Sequence, residues 1–254
     1  MANRNTNDQT MRDVATSLDP SPSLPVSLSP LLPVSPSPCP PLAHHFADLE
    51  QQHEVAVLGM WIFLATELMV FGALFTGYAV YRAKFSAEFE AGSAKLNIWF
   101  GGINTVVLLS SSLTMALAVY AVQAGRRQMV VTCLALTALL GTGFLVIKGF
   151  EYHGDYVDRL VPGLGFDDHD WPPPLHPEKV KLFLVFYYLM TGLHGVHLII
   201  GIGFMTILTI LARRGRFTPQ YYGPIEVGGL YWHFVDVVWL FLLPLLYLIA
   251  RRIP

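Results

Sequence analysis

The sequence predicts an all-α fold, a polytopic membrane bundle of five transmembrane helices. Composition is the first reason: of 254 residues, 53% are hydrophobic and 13% charged, whereas ordinary soluble domains carry about 25% charge. Pattern is the second. Five apolar stretches each reach the roughly 20 residues that a helix needs to cross a bilayer. Their apolar character is continuous, unlike the alternating strands of a membrane barrel. Backbone groups in lipid must bond internally, so each stretch is expected to be a helix.

Residues 1–54 stand apart from the rest. "DPSPSLPVSLSPLLPVSPSPCPP" alternates Pro and Ser too densely for a helix or a ladder to propagate, which predicts a disordered tail. Prolines interrupt every candidate apolar core, so it does not read as a secretory signal. A translated upstream region is the alternative reading. Residues 55–254 form the expected membrane domain, with spans from Val57 to Tyr81, Leu96 to Val122, Met129 to Phe150, Leu182 to Leu211 and Gly229 to Ala250. The fourth is long enough to tilt or to extend beyond the bilayer.

If the helices alternate in direction, "GRRQ" at 125–128 and "RRGRF" at 213–217 share one side. The loop from Gly154 to Glu178, with Asp155, Asp158, Asp167, Asp168 and Asp170, occupies the other. The excess of Arg in short loops marks the cytoplasmic side, which places the N-terminus in the cytoplasm and the C-terminus outside. Arg82, Lys84, Arg251 and Arg252 run against that assignment.

The polar residues inside the apolar stretches carry the functional question. Glu67, in "WIFLATELMVFGALF", lies ten residues past Val57, near mid-bilayer at about 1.5 Å per residue. A carboxyl group at that depth costs on the order of 2.5–3.5 kcal/mol. It serves either as interhelical glue or in proton handling. His194 and His197, in "TGLHGVHLIIG", sit one turn apart, and His233 and Asp236, in "YWHFVDVVWLFLLPLLYL", repeat that spacing. Interhelical hydrogen bonding is the simpler reading of the histidines, and a metal site built on His194, His197 and His233 the alternative. For His233 and Asp236 the readings are a local ion pair or a lipid-headgroup or subunit contact, with Tyr231, Trp232 and Trp239 as interfacial anchors. Lys148, Glu151 and His153, in "KGFEYHGDY", read as a snorkelling helix end. The Ser/Thr run of "NTVVLLSSSLTMALAVY" reads as helix packing.

Several function classes fall away. A net charge of −2 removes a nucleic-acid binder running on bulk positive charge. Cys39 and Cys133 have no metal or disulfide spacing. No phosphate-binding loop, nucleophile elbow, H-E-x-x-H or haem-attachment motif is present.

Taken in order, "WIFLATELMVFGALF", "NTVVLLSSSLTMALA", "KGFEY", "TGLHGVHLIIG" and "YWHFVDVVWLFLLPLLYL" are similar to the successive signatures of subunit III of haem–copper cytochrome c oxidases, in its five-helix bacterial form. The resemblance runs from about residue 53 to the C-terminus. It implies a non-catalytic subunit of a proton-translocating terminal oxidase in the bacterial plasma membrane, part of the aerobic respiratory chain. Such a subunit has no active site, haem or copper of its own. Its implied partners are the haem- and copper-bearing catalytic subunit I, the copper-carrying subunit II and bound phospholipid. Its implied role is to support proton uptake and stability of the catalytic subunit. Glu67 matches the family's carbodiimide-reactive intramembrane glutamate. His194, His197, His233 and Asp236 match its interhelical polar residues, and Glu151 its outer-end glutamate. Lacking two further N-terminal helices, the chain cannot close the family's lipid cleft alone. Subunit III of a quinol oxidase and the accessory subunit of a nitric-oxide reductase are the nearest alternatives, and an intramembrane metalloenzyme the alternative from another class.

Overall fold

The computed structural model describes residues 49–163, 171 and 173–250. The Pro/Ser-rich stretch up to residue 48, Asp167, Asp168, Asp170, Arg251 and Arg252 lie outside the described residues. Among the described residues six helices follow one another: α1 Leu49–Lys84, α2 Ser86–Lys95, α3 Ile98–Gln123, α4 Arg127–Val157, α5 Pro177–Arg213 and α6 Gly223–Tyr247. All but α2 are long and apolar enough to span a membrane, which gives the five spans expected. α1 begins at Leu49, upstream of the expected boundary at residue 54. Its opening residues, Leu-Glu-Gln-Gln-His-Glu, are mostly good helix formers, with Glu50 favourably placed in the first turn.

The short α2 has no apolar run and lies between the first two expected spans. Its face is nonetheless buried at Phe89, Gly92 and Ser93. Gly92 lets Phe183 of α5 come so close that a Cβ would stand 2.5 Å from the ring.

Helix ends show how the chain reverses. Asn97 caps α3 by accepting the Trp99 N–H at 3.0 Å. After α3, Gly125 adopts φ +68°, and the Arg126 N–H reaches back to the Ala121 carbonyl at 2.9 Å. After α5, Gly215 adopts φ +75°, and the Arg216 N–H bonds the Leu211 carbonyl at 3.2 Å. Both basic turns therefore use the same left-handed C-terminal motif, which needs little but a glycine. They meet in space: the Arg127 guanidinium donates to the carbonyls of Ala212, at 3.1 Å, and Arg213. His53 of α1 and Glu226 of α6 form a contact of 3.3 Å. At the other end, Tyr78 donates to the Leu245 carbonyl (2.5 Å) and Ser93 to that of Leu246 (2.7 Å). These hydrogen bonds occupy orphan carbonyls of α6's last turn. The helices thus alternate in direction.

α3, α4, α5 and α6 pack into a closed quartet, α3 on α4 and α6, and α5 on α4 and α6. α1 lies outside it, leaning on α6 and to a lesser extent α5. Much of its surface is exposed apolar side chain, including Leu58, Trp61, Ile62, Leu68 and Met69. That surface suits lipid or another protein, not water. Inside the quartet, Trp232 is fully buried and its indole fills the space left by two glycines. A Cβ on Gly141 would meet the ring at 2.7 Å and one on Gly201 at 3.1 Å. The indole N–H donates to Ser111 of α3 at 3.0 Å, so one side chain ties all four helices. Trp239, about two turns further on, donates to Thr105 at 3.1 Å.

Gly141→Ala is expected to force Trp232 from this slot and cost about 1–3 kcal/mol, the usual penalty of overpacking. Gly143→Ala, where nothing lies within 4 Å of the added carbon, is expected to be neutral. Heat-unfolding midpoints of the two detergent-solubilised variants check the pair.

Candidate functional site

Three polar clusters lie within the helices, each built from residues on different elements. In the first, α1 presents Glu67 toward α5, and its Oε2 is 2.9 Å from His197 Nε2. The other ring nitrogen, Nδ1, lies 2.8 Å from the Leu193 carbonyl. A carbonyl only accepts, so Nδ1 carries a hydrogen. Nε2 then either accepts a proton from a neutral Glu67 or donates one to its carboxylate. Either way, one proton sits between the two side chains. Phe71 flanks the imidazole at 5.3 Å between centroids, and Tyr231 donates to the His197 carbonyl at 2.9 Å. Glu67 keeps 19% of its side-chain surface exposed and His197 11%, so the pair is sheltered without being sealed.

The second cluster gathers at the α3–α6 contact. Ser112 Oγ is 2.7 Å from His233 Nδ1. Asp236 is buried, with Ser112 as its polar neighbour. Its carboxyl oxygens make no hydrogen bond among the described residues. The local ion pair, one of the two readings of His233 and Asp236, is therefore not formed. One-turn spacing puts both on one helix face, but each side chain turns to α3 rather than to its neighbour. His194 also departs from expectation. It is buried against Phe144 (5.5 Å) and Trp239 (5.2 Å), and neither ring nitrogen has a hydrogen-bond partner among the described residues. It packs as an aromatic ring. Trp232 and Trp239 are buried inside the quartet, and cannot anchor the helix at a lipid interface.

The third cluster overturns the snorkelling reading of Lys148. Its side chain is 7% exposed and that of Glu151 2%, with Nζ 3.0 Å from Oε2. Lys148 also donates to Tyr187 (3.0 Å) and Tyr247 (2.6 Å). The ammonium sits over the rings of Tyr152, Tyr187, Trp239 and Tyr247, 4.7–5.6 Å from their centroids. Glu151 Oε1 accepts from Tyr187 at 2.9 Å and from Tyr247 at 2.5 Å. Asp155, one turn on, is close to Tyr187 (3.2 Å) and Tyr188 (3.4 Å). His153, from the same sequence stretch, points outward and is exposed.

The sequence held a signal for this cluster. Lys148, Glu151 and Asp155 recur at i, i+3 and i+7 and so share one helical face, while His153 does not. A face of that kind on an apolar helix points inward. Among the described residues, no group of three or more His, Cys, Asp or Glu side chains is arranged to hold a metal ion.

The architecture is that of a multi-pass membrane protein whose polar side chains bind one another across helices. Comparison with known proteins gives the family. Residues 45–157 and 181–251 match the model of the family described as cytochrome c oxidase subunit III. The chain belongs to this family. It is 31% identical over 199 residues to cytochrome c oxidase subunit 3 of Synechocystis, covering 77% of this chain and 76% of the relative. The corresponding subunit of Alkalihalophilus pseudofirmus is 32% identical over 198 residues, covering 76% and 86%. Quinol oxidase subunit 3 of Bacillus subtilis is 31% identical over 207 residues, covering 80% and 93%. The chain is therefore a subunit III of the haem–copper oxidase type, and works in a complex with other subunits.

Lys148→Met leaves a buried carboxylate without its counter-ion and is expected to destabilise the fold by about 3–5 kcal/mol. Adding Glu151→Gln to it is expected to recover most of that loss. Equilibrium unfolding in mixed micelles, run as a double-mutant cycle, measures both.

Proposed function

We propose that this chain is the non-catalytic third subunit of a cytochrome c oxidase, supporting proton uptake by the catalytic subunit and its survival through turnover. The single observation that carries the proton-handling part is the Glu67–His197 contact of 2.9 Å. With Nδ1 committed to Leu193, the contact holds one proton that either partner can own. That is the behaviour of a relay or an antenna. A packing contact alone has no need of it. The partly exposed position of both side chains supports exchange with groups outside the chain.

In this reading the chain lies in a bacterial plasma membrane, N-terminus in the cytoplasm, beside the catalytic subunit I and a copper-carrying subunit II. The Arg-rich turns support that orientation. Phospholipid would lie in the open apolar groove between α1 and α6, lined by Phe75, Ala79, Val80, Phe241 and Leu245. His197, His233, Glu151 and Trp232 hold helices together through hydrogen bonds and His194 through ring packing, while Asp236 stands beside Ser112 of α3, with no electron transfer of their own. Relatives named as quinol oxidase subunits match as well as the cytochrome c branch, so a quinol oxidase is the second reading. Copurification of a copper-containing second subunit supports cytochrome c as the donor, and its absence supports quinol.

Glu67→Gln removes the shared proton while keeping size and hydrogen bonding. Assembly of the oxidase is expected to be unchanged, while proton uptake slows or the enzyme loses activity in fewer turnovers. Kinetics and turnover-dependent inactivation indistinguishable from those of the parent would reduce Glu67 to a packing residue.

A further inference from the structure

The Lys148 cluster contains more hydrogen-bond contacts than hydrogens to fill them. Lys148 brings three hydrogens, and all are spent: on Glu151 Oε2 at 3.0 Å, Tyr187 at 3.0 Å and Tyr247 at 2.6 Å. The Tyr247 hydrogen goes to Glu151 Oε1, 2.5 Å away. Tyr187 has a single hydrogen, yet its oxygen faces two carboxyl groups, Glu151 Oε1 at 2.9 Å and Asp155 Oδ2 at 3.2 Å. It can donate to one of them only. With both acids ionised, the other contact would set a phenol lone pair against a carboxylate. Such a contact repels.

Charge leads to the same deficit. Lys148, Glu151 and Asp155 are all buried. One ammonium facing two carboxylates leaves a net negative charge in a low-dielectric interior, which is strongly disfavoured. One added proton resolves both problems if it resides on Asp155. Tyr187 then donates to Glu151 and accepts from Lys148 and Asp155, and the cluster is neutral. Glu151 is the poorer host, because its two oxygens already accept from one ammonium and two phenols.

We propose that Lys148, Glu151 and Asp155 form a proton-binding site that holds one exchangeable proton on Asp155, hydrogen-bonded to Tyr187. The groups that face it are Lys148, Glu151 and Tyr152 from α4, Tyr187 and Tyr188 from α5, and Tyr247 from α6. Tyr188 is half-buried and 3.4 Å from Asp155, which places it on the way out of the cluster at the end of α4. This site shares no residue with the Glu67–His197 pair and does not depend on the role assigned to that pair.

Infrared difference spectra of the purified oxidase complex test it. Raising the pH is expected to remove the C=O band of a protonated carboxyl group, a band that shifts down in D2O. Asp155→Asn is expected to abolish the band and Glu67→Gln to leave it. The asparagine amide supplies the same hydrogen to Tyr187, so Asp155→Asn is expected to assemble as well as the parent. The folded state keeps a proton that the unfolded chain has already released above about pH 4, so stability falls as pH rises from there through the pH at which the folded cluster lets the proton go. The heat-inactivation midpoint of the parent should therefore drop with pH, and that of Asp155→Asn should drop less. Identical spectra and identical pH dependence for parent and Asp155→Asn would overturn the proposal. Failure of Asp155→Asn to assemble would overturn it equally.

Discussion

A bilayer offers no water to a polar group that leaves its partner, and this single constraint organises the whole molecule. Backbone groups meet it by forming helices. Side chains meet it by pairing across helices. Lys148 shows the cost avoided: an isolated ammonium in an apolar medium is worth many kcal/mol against folding. Here it is wrapped by a carboxylate, two phenol oxygens and four aromatic faces. Because those groups come from α4, α5 and α6, satisfying the ammonium also fixes how three helices stand. The same reasoning applies to Trp232, whose indole N–H finds Ser111 only if α6 seats against the glycines of α4 and α5.

The constraint is not met everywhere. Asn104, His194 and Asp236 are buried, and their side-chain polar atoms have no hydrogen-bond partner among the described residues. All three belong to the quartet, on α3, α5 and α6. His194 is partly compensated by the faces of Phe144 and Trp239, since the positive edge of one ring can meet the negative face of another. Asp236 has the Ser112 hydroxyl of α3 as its polar neighbour.

The spans were legible because a hydrophobic run of about 20 residues has one solution in lipid. Alternation of the helices was the premise that put the two Arg-bearing turns on one side, and they do meet through Arg127. What one-turn spacing could not tell was which way a side chain turns. His233 and Asp236 share a helix face, but the hydroxyl nearest to each belongs to α3. Spacing reports the neighbour along a helix, never the one across. Lys148 was misread for a related reason. Near a helix end, a lysine can snorkel outward or be drawn inward, and only the tyrosines of α5 and α6 decide between these. Those tyrosines lie 39 and 99 residues away in sequence. α2 escaped notice because its contribution is one small face against Phe183, with no apolar run to announce it.

Hydrogen inventory distinguishes the two acid clusters more sharply than burial does. At Glu67 the count of hydrogens is one for one contact, and ownership of that proton is ambiguous because imidazole and carboxyl are both able to hold it. At Asp155 the count falls short by one, and ownership is assigned, because Glu151 is already saturated with donors. An ambiguous proton suits transfer, since moving it requires little rearrangement of its neighbours. An assigned proton suits storage, since releasing it strands a charge that six surrounding side chains were arranged to avoid. With the roles proposed for these two clusters, the subunit would differ from an inert scaffold: its helices would set how readily protons move or stay at two separate places along them.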